Sequence, residues 1–352
     1  VADLAFRALT AGDDDLTRFA ACFEANGDPK DVRHLRWQYR EPPVGRTYVD
    51  AAEDASGRLG GIYAVFPTRF RLGDRVVTGV QSLDTLTDEH HRGKGLFTKL
   101  AKRVYDRCTT DDVALVYGFP NGSSAHGFFE KLGWTRLDPV PFLVRPLSVR
   151  YLLRRARVPE GLAGLVPAGW PTLRRAPRLA ADEEVAVTLQ VDEAMAAVWT
   201  GFATQVRAAV ERDLPYLRWR LSRPKGGYKL LVFRRGGAVL GWTALTVLDK
   251  HGGRVGYVME LLYPPSEPRI GEALAHAALD EMRASGAEVA LAWCLDHAPN
   301  RDAYRAAGFR TLPQALRPIE LHFGVRALAA PADAALANRE NWYLSYLDSD
   351  TV

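Results

Sequence analysis

The feature that most constrains this chain is that it repeats itself. Leu35-Arg36-Trp37, followed by Pro42 and Gly45, recurs as Leu217-Arg218-Trp219, followed by Pro224 and Gly226. Downstream, Phe128-Phe129-Glu130-Lys131-Leu132-Gly133-Trp134 is echoed by Ala303-Tyr304-Arg305-Ala306-Ala307-Gly308-Phe309. The separation of Trp37 from Trp219 is nearly that of Gly133 from Gly308, so order is kept and register nearly so. Two echoes in one order predict a duplicated domain, and 352 residues are enough for two domains with sizeable cores. The expected division is a first domain over 1–148, a basic linker over 149–180, a second domain over 181–325 and a docked tail over 326–352.

Periodicity gives both halves the same elements. In the first, Asp14–Ala25 carries Leu16, Phe19, Ala20 and Phe23 on one helical face. Strands are expected at 46–52, 59–66, 70–72 and 76–86, then a helix at 96–108, a buried strand at 113–119 and a helix at 123–132 that Gly133 ends. In the second half the corresponding strands are 230–233, 239–247, 254–262 and 289–295, with helices at 271–285 and 301–307. The fold class is α/β, each half a mixed, largely antiparallel sheet flanked by helices.

The segment from Ser82 to Leu100 carries the chemistry. A strand runs into Arg92-Gly93-Lys94-Gly95-Leu96-Phe97, and a helix follows at once. Glycines let successive N–H groups face one point, and the helix start favours an anion there. A pyrophosphate suits such a nest, with Arg92 and Lys94 beside it. The P-loop pattern is absent, because Lys94 lies between the glycines, and so is the dinucleotide GxGxxG.

This segment resembles the Q/R-x-x-G-x-G/A pyrophosphate motif of the GNAT superfamily of acyl-CoA-dependent N-acyltransferases. Arg92 and Gly95 match its first and fourth positions, and Phe97 replaces the final Gly or Ala. Phe119 to Trp134 is similar to the family's next motif, and the likeness extends faintly over 181–325, so the whole resembles two tandem GNAT folds. The resemblance implies acyl-CoA as cosubstrate and no metal. It places Leu86 and Thr87 against the pantetheine, the backbone of Arg92, Gly93, Lys94, Gly95, Leu96 and Phe97 around the pyrophosphate, and Asn121 and Ser124 where the chain returns to the cofactor. In the second half, Tyr263 to Gly271 puts three prolines where the nest should be, and proline has no N–H to give. That copy is expected to be cofactor-free.

Transfer to an amine needs a proton acceptor and an approach to the thioester. Asp84, three residues before Thr87, is the leading catalytic candidate and Glu89 the second. Phe129 stands where many family members place a proton-donating Tyr, which leaves water, Ser124 or the other domain to protonate the thiolate. His126 is a further candidate on the second-motif helix. Trp342, Tyr343, Tyr346 and Leu347 predict a tail docked at the interdomain groove, where Asp348 or Asp350 could reach a cationic acceptor.

Composition excludes several other readings. Cys22, Cys108 and Cys294 lie far apart with no CxxC, so neither a disulfide framework nor a zinc site is expected. A net charge of +4 is too small to imply nucleic-acid binding, although eight arginines and only Glu160 among acids lie between Arg145 and Arg178. No apolar run approaches the roughly 18–20 residues of a membrane span, and no leader is visible at the start of the chain, so a cytoplasmic location is expected. The preferred reading is direct transfer of an acetyl or longer acyl group to a small-molecule amine, an amino sugar or antibiotic-type natural product. A protein or peptide amine acceptor, a mycothiol-synthase-like role and a non-catalytic acyl-CoA sensor are the alternatives. The sequence does not specify an oligomeric state.

Overall fold

A computed structural model describes residues 4–149, 151, 153, 175–317, 319–329 and 334–352. Most of the basic linker, including residues 154–174, lies outside the described residues.

Two sheets form, one from each half. The first is built on β1 (Ala5–Leu9), β2 (Tyr48–Glu53), β3 (Leu59–Leu72), β4 (Arg75–Thr87), β5 (Leu115–Gly118) and β6 (Thr135–Arg136). β7 (Phe142–Pro146) follows, and then come β8 (Glu183–Thr188), β9 (Ala208–Val210), β10 (Lys229–Arg235), β11 (Ala238–Lys250), β12 (Gly253–Leu262), β13 (Val289–Trp293), β14 (Arg310–Thr311) and β15 (Gly324–Ala327). The orders are β1-β2-β3-β4-β5-β15-β6, with β9 on β3, and β14-β7-β13-β12-β11-β10-β8. The second order is the first in mirrored listing, with one exchange. β7 leaves the first half to pair with β13, and β15 leaves the second to pair with β5. This corrects the boundaries at 148 and 325, since strand 142–146 belongs to the second sheet and strand 324–327 to the first. Both inserted strands lie between neighbours and bring buried apolar residues, Phe142 and Leu143 in one and Val325 in the other. Such a strand fits either sheet, so its sequence does not say which it joins.

Helices α1 (Asp13–Ala25), α2 (Val32–Arg40), α3 (Leu96–Thr110) and α4 (Gly122–His126) belong to the first half. The strands expected at 59–66 and 70–72 are one, because β3 runs through Pro67. Pro67 lies between the last β2 pairing at Val65 and the first β9 pairing at Phe70, so no neighbour on that edge needs its missing N–H.

The halves meet about an approximate twofold axis. Trp37 and Trp219 stack with centroids 4.9 Å apart and planes 15° from parallel. Each indole N–H donates to the other's backbone carbonyl at 2.9 Å. Reciprocal contacts between equivalent residues are what a twofold relation produces.

Candidate active site

β4 and β5 run parallel and pair from Gly79–Leu115 to Ser82–Gly118. β5 then stops, while β4 continues to Thr87. Just past that point Asp84 and Thr85 together face Tyr63 alone on β3, a bulge that sharpens the twist of β4. The central strands therefore part, and the edge of β4 beyond Ser82 faces open space.

That space is a groove of about 680 Å³, lined by Leu86, Thr87, Arg92, Gly93, Gly95 and His126 among others. Gly93 and Gly95 have φ of +77° and +70°, and at neither would a Cβ meet any atom within 4 Å. Both thus supply the left-handed backbone of a nest whose face is clear. Gly95 begins α3 without a side-chain cap, and the first turn holds no acidic residue, so its N–H groups remain available to an anion. Arg92 is exposed at the rim, and Lys94 folds back so that its Nζ lies 3.2 Å from the His90 carbonyl. The Leu96 side chain is buried in the core, which leaves only its backbone for a ligand. Phe97 packs edge-on against Phe128 at 5.1 Å, and its ring occupies the place of a Cβ on Gly127. The bulky replacement in the motif is thus accommodated by a glycine on the facing helix.

A second cavity of about 350 Å³ adjoins the groove, and Thr85 and Ser124 line both. Asp84 is buried in its wall. Its Oδ2 accepts from Gln38 Nε2 at 2.6 Å and from the Tyr39 hydroxyl at 2.7 Å, and Lys30 Nζ is 3.0 Å from Oδ1. Burial and the neighbouring Asp84 charge hold the Tyr39 phenol well above its ordinary pKa, so it stays a donor. Four carboxylates (Asp28, Asp84, Glu320 and Asp350) face this cavity against one cation, Lys30. The carboxyl of Asp350 is pushed up by burial and by Asp84, with Lys30 and Arg223 opposing.

The structure sorts the sequence candidates. Asp84 and Ser124 come together at the cavity. Ser124 also completes a capping box with Asn121, whose Oδ1 accepts from its backbone N–H at 3.0 Å. Asn121 lines the smaller cavity and His126 the larger groove, each exposed. Glu89 is not part of either. It sits in a 3₁₀ turn where Asp88 turns inward to cap the backbone N–H of His90, and this turns Glu89 out to solvent. Sequence reasoning misses Lys30, Gln38 and Tyr39. The signal that could have found Lys30 is the repeat, in which it precedes Arg212 by the same interval that separates Trp37 from Trp219.

In the second half the corresponding space is filled. β12 and β13 pair until Val258–Ala292. Beyond, Glu260 is fully buried against Arg212, and the Tyr343 and Ser345 hydroxyls both donate to it. Tyr346 stacks on Trp293 at 4.6 Å. The tail thus packs where β12 and β13 part. Among the described residues no cluster of metal-ligating side chains occurs, and no helix is long and apolar enough to cross a membrane.

A splayed sheet, a glycine nest at a helix start and an adjoining acidic cavity thus lie together in the first half. Residues 9–137 match the family model described as an acetyltransferase (GNAT) domain. The match covers the part of the chain that holds the parted strands, the glycine nest and the groove. The chain's fold is similar to that of Saccharomyces cerevisiae N-myristoyltransferase, solved with bound myristoyl-CoA and inhibitors (10% identity, TM-score 0.60, 92% of this chain and 80% of that one). It is also similar to an Enterococcus faecalis V583 protein described as a probable N-acyltransferase (11% identity, TM-score 0.63, 92% and 73%). No curated protein sequence matches it.

Proposed function

We propose that the chain moves an acetyl or longer acyl group from acyl-CoA in the large groove to the amine of a small cationic acceptor in the 350 Å³ cavity. The observation that carries this reading is that the two spaces share Thr85 and Ser124, at the point where the strands part. The first domain holds the donor, and the second is a cofactor-free copy whose tail shapes the acceptor site. Arg92 and the backbone from Gly93 to Phe97 hold the pyrophosphate, while Leu86 and Thr87 offer unpaired strand groups to the pantetheine. A β4 N–H polarises the thioester carbonyl, and the bulge fixes its direction.

Asp84 positions the acceptor ammonium. Three donors already hold its carboxylate, so it is a fixed anchor. The ternary arrangement brings amine and thioester together without an acyl-enzyme, and positioning supplies much of the rate. Ser124 lies where the departing sulfur would emerge. The excess of carboxylates and the compact volume favour an amino sugar or related small amine, in a cytoplasmic setting. The likeness to N-myristoyltransferase supports a second reading, a long acyl chain passed to a peptide amine.

The test is transfer from acetyl-CoA and from myristoyl-CoA to a panel of amino sugars and to a peptide with a free N-terminal amine, read by mass spectrometry. Acylated amino sugars support the first reading and acylated peptide the second. Donor binding with no product from any amine refutes both and leaves a sensor.

A further inference from the structure

The repeat duplicates a charged pair as well as the tryptophans. Lys30 and Arg212 stand the same distance apart in the chain as Trp37 and Trp219. Asp84 and Glu260 each stand two residues past the last parallel pairing of their sheet, Ser82–Gly118 and Val258–Ala292. Each half therefore sets a cation against a carboxylate where its central strands part: Lys30 Nζ at 3.0 Å from Asp84, and Arg212 Nε at 2.9 Å from Glu260. In the second half a third group joins, with Asp348 2.7 Å from Arg212 Nη2. Two residues later the same segment brings Asp350 to the cavity that holds Lys30 and Asp84. One stretch of chain thus delivers an acid to each pair.

The two triads differ in what surrounds them. Arg212, Glu260 and Asp348 are closed off from solvent, whereas Asp350, packed among neighbouring groups, still lines the acceptor cavity. Among the described residues no side-chain donor bonds the Asp350 carboxylate, while Asp84 is held by three. The backbone beside Asp350 is clamped by cations of the second half. Arg220 Nε donates to the Leu347 carbonyl at 2.8 Å and its Nη2 to that of Ser349; Lys250 reaches that of Thr351. The backbone that carries Asp350 is therefore held in place, while its carboxylate is free to bind a proton.

Resting on the acyltransferase reading above, we propose that Asp350 is the proton acceptor of the transfer, with Asp84 as its positioning partner. The acceptor ammonium gives one proton to the Asp350 carboxylate and becomes a neutral amine. Its nitrogen forms a bond to the thioester carbonyl carbon, and the C–S bond breaks with its electron pair on sulfur. The nitrogen's surplus proton goes to that thiolate, giving the free thiol, and Asp350 returns its own proton to solvent. Asp84, Lys30, Tyr39, Arg223 and Lys250 are the titratable groups that face Asp350. Burial and Asp84 raise its affinity for a proton, which makes it a better base than an ordinary carboxylate.

The test uses the full chain, acetyl-CoA, and two amines at pH 7: 1,4-diaminobutane, which is protonated there, and methoxyamine, which is already neutral. Asp350→Asn is expected to lower kcat/KM about 100-fold or more for the diamine, the usual scale of general-base catalysis, and only a few-fold for methoxyamine. Asp350→Glu is expected to recover part of the loss, and the acidic limb of the diamine profile to disappear in Asp350→Asn. Equal losses for both amines, or diamine transfer within a few-fold of wild type, would overturn the assignment while leaving the acyltransferase reading intact. A wild-type chain that binds acetyl-CoA yet acylates neither these two amines nor any amine of the panel above refutes that reading itself, and this assignment with it.

Discussion

Replacing Arg212 with Met removes the one cation from a pocket that holds two carboxylates. In the structure its guanidinium donates to Glu260 at 2.9 Å, Asp348 at 2.7 Å, Ser345 Oγ at 3.2 Å and the Val210 carbonyl at 2.6 Å, with no solvent access. Methionine fills much of the volume but leaves Glu260 and Asp348 buried and mutually repelling. Breaking a buried pair in this way costs about 3–5 kcal/mol. At about 2–4 °C per kcal/mol for domains of this size, the Tm should fall by about 6–20 °C. The deficit should shrink in acid. Burial already pushes the Glu260 carboxyl up, with Arg212 opposing, so without Arg212 its protonation stabilises the folded variant and the Tm approaches wild type as pH falls. The variant Arg212→Met/Glu260→Met/Asp348→Leu removes the stranded charges and should recover most of the loss. Calorimetric scans at pH 7.5 and pH 5 measure both effects. A Tm shift under about 2 °C, or a triple variant no better than the single one, would refute the reasoning. Because the same triad anchors the tail, Arg212→Met should also lose acyl transfer while still binding acetyl-CoA.

Other expectations rest on single groups. Burial pushes the Cys22 thiol up to about 11 and the Cys108 thiol up to about 12, and raises Cys294 as well. Iodoacetamide at pH 7.5 should therefore leave the native chain unlabelled and active, and label all three in urea; labelling with loss of activity would point to an acyl-cysteine route. His34 lies 2.9 Å from Gln38 Oε1, and burial with the nearby Arg223 lowers its pKa to about 4. The unfolded chain takes up this proton near pH 6.5 and the folded chain only near 4, so stability should fall as pH drops across that window. For a partly exposed ring the loss is on the order of 1 kcal/mol. Urea midpoints should show it, and a His34→Leu variant with the same slope would contradict it.

Local chemistry decides what is legible. The segment from Ser82 to Leu100 can be read because strand, glycine nest and helix start are contiguous, and the structure places them as the sequence predicts. Duplication is legible in the spacing of Leu35-Arg36-Trp37 and its echo. The exchange of β7 and β15 is not, since a short strand of buried apolar residues such as Phe142–Pro146 carries no mark of the sheet it joins. Periodicity alone does not reveal α2, although Asp31 caps it as Asp213 caps the helix Leu214–Leu221, again at the interval of the paired tryptophans. Glu89 misleads because a turn decides which of two adjacent acids faces inward, and here it is Asp88. Lys30 is a charged residue before a helix, unremarkable until its repeat partner is seen against Glu260.

The central claim is that two copies of one fold carry a single donor site, in the first. Calorimetric titration with acetyl-CoA tests it most directly, on wild type beside Arg92→Glu/Gly95→Glu. The account predicts saturable binding of one acetyl-CoA per chain, weakened about 100-fold or more in the variant, because a carboxylate would face the pyrophosphate and the φ of +70° at residue 95 would strain any side chain. Two acetyl-CoA molecules per chain, or an affinity that the variant leaves unchanged, would contradict it.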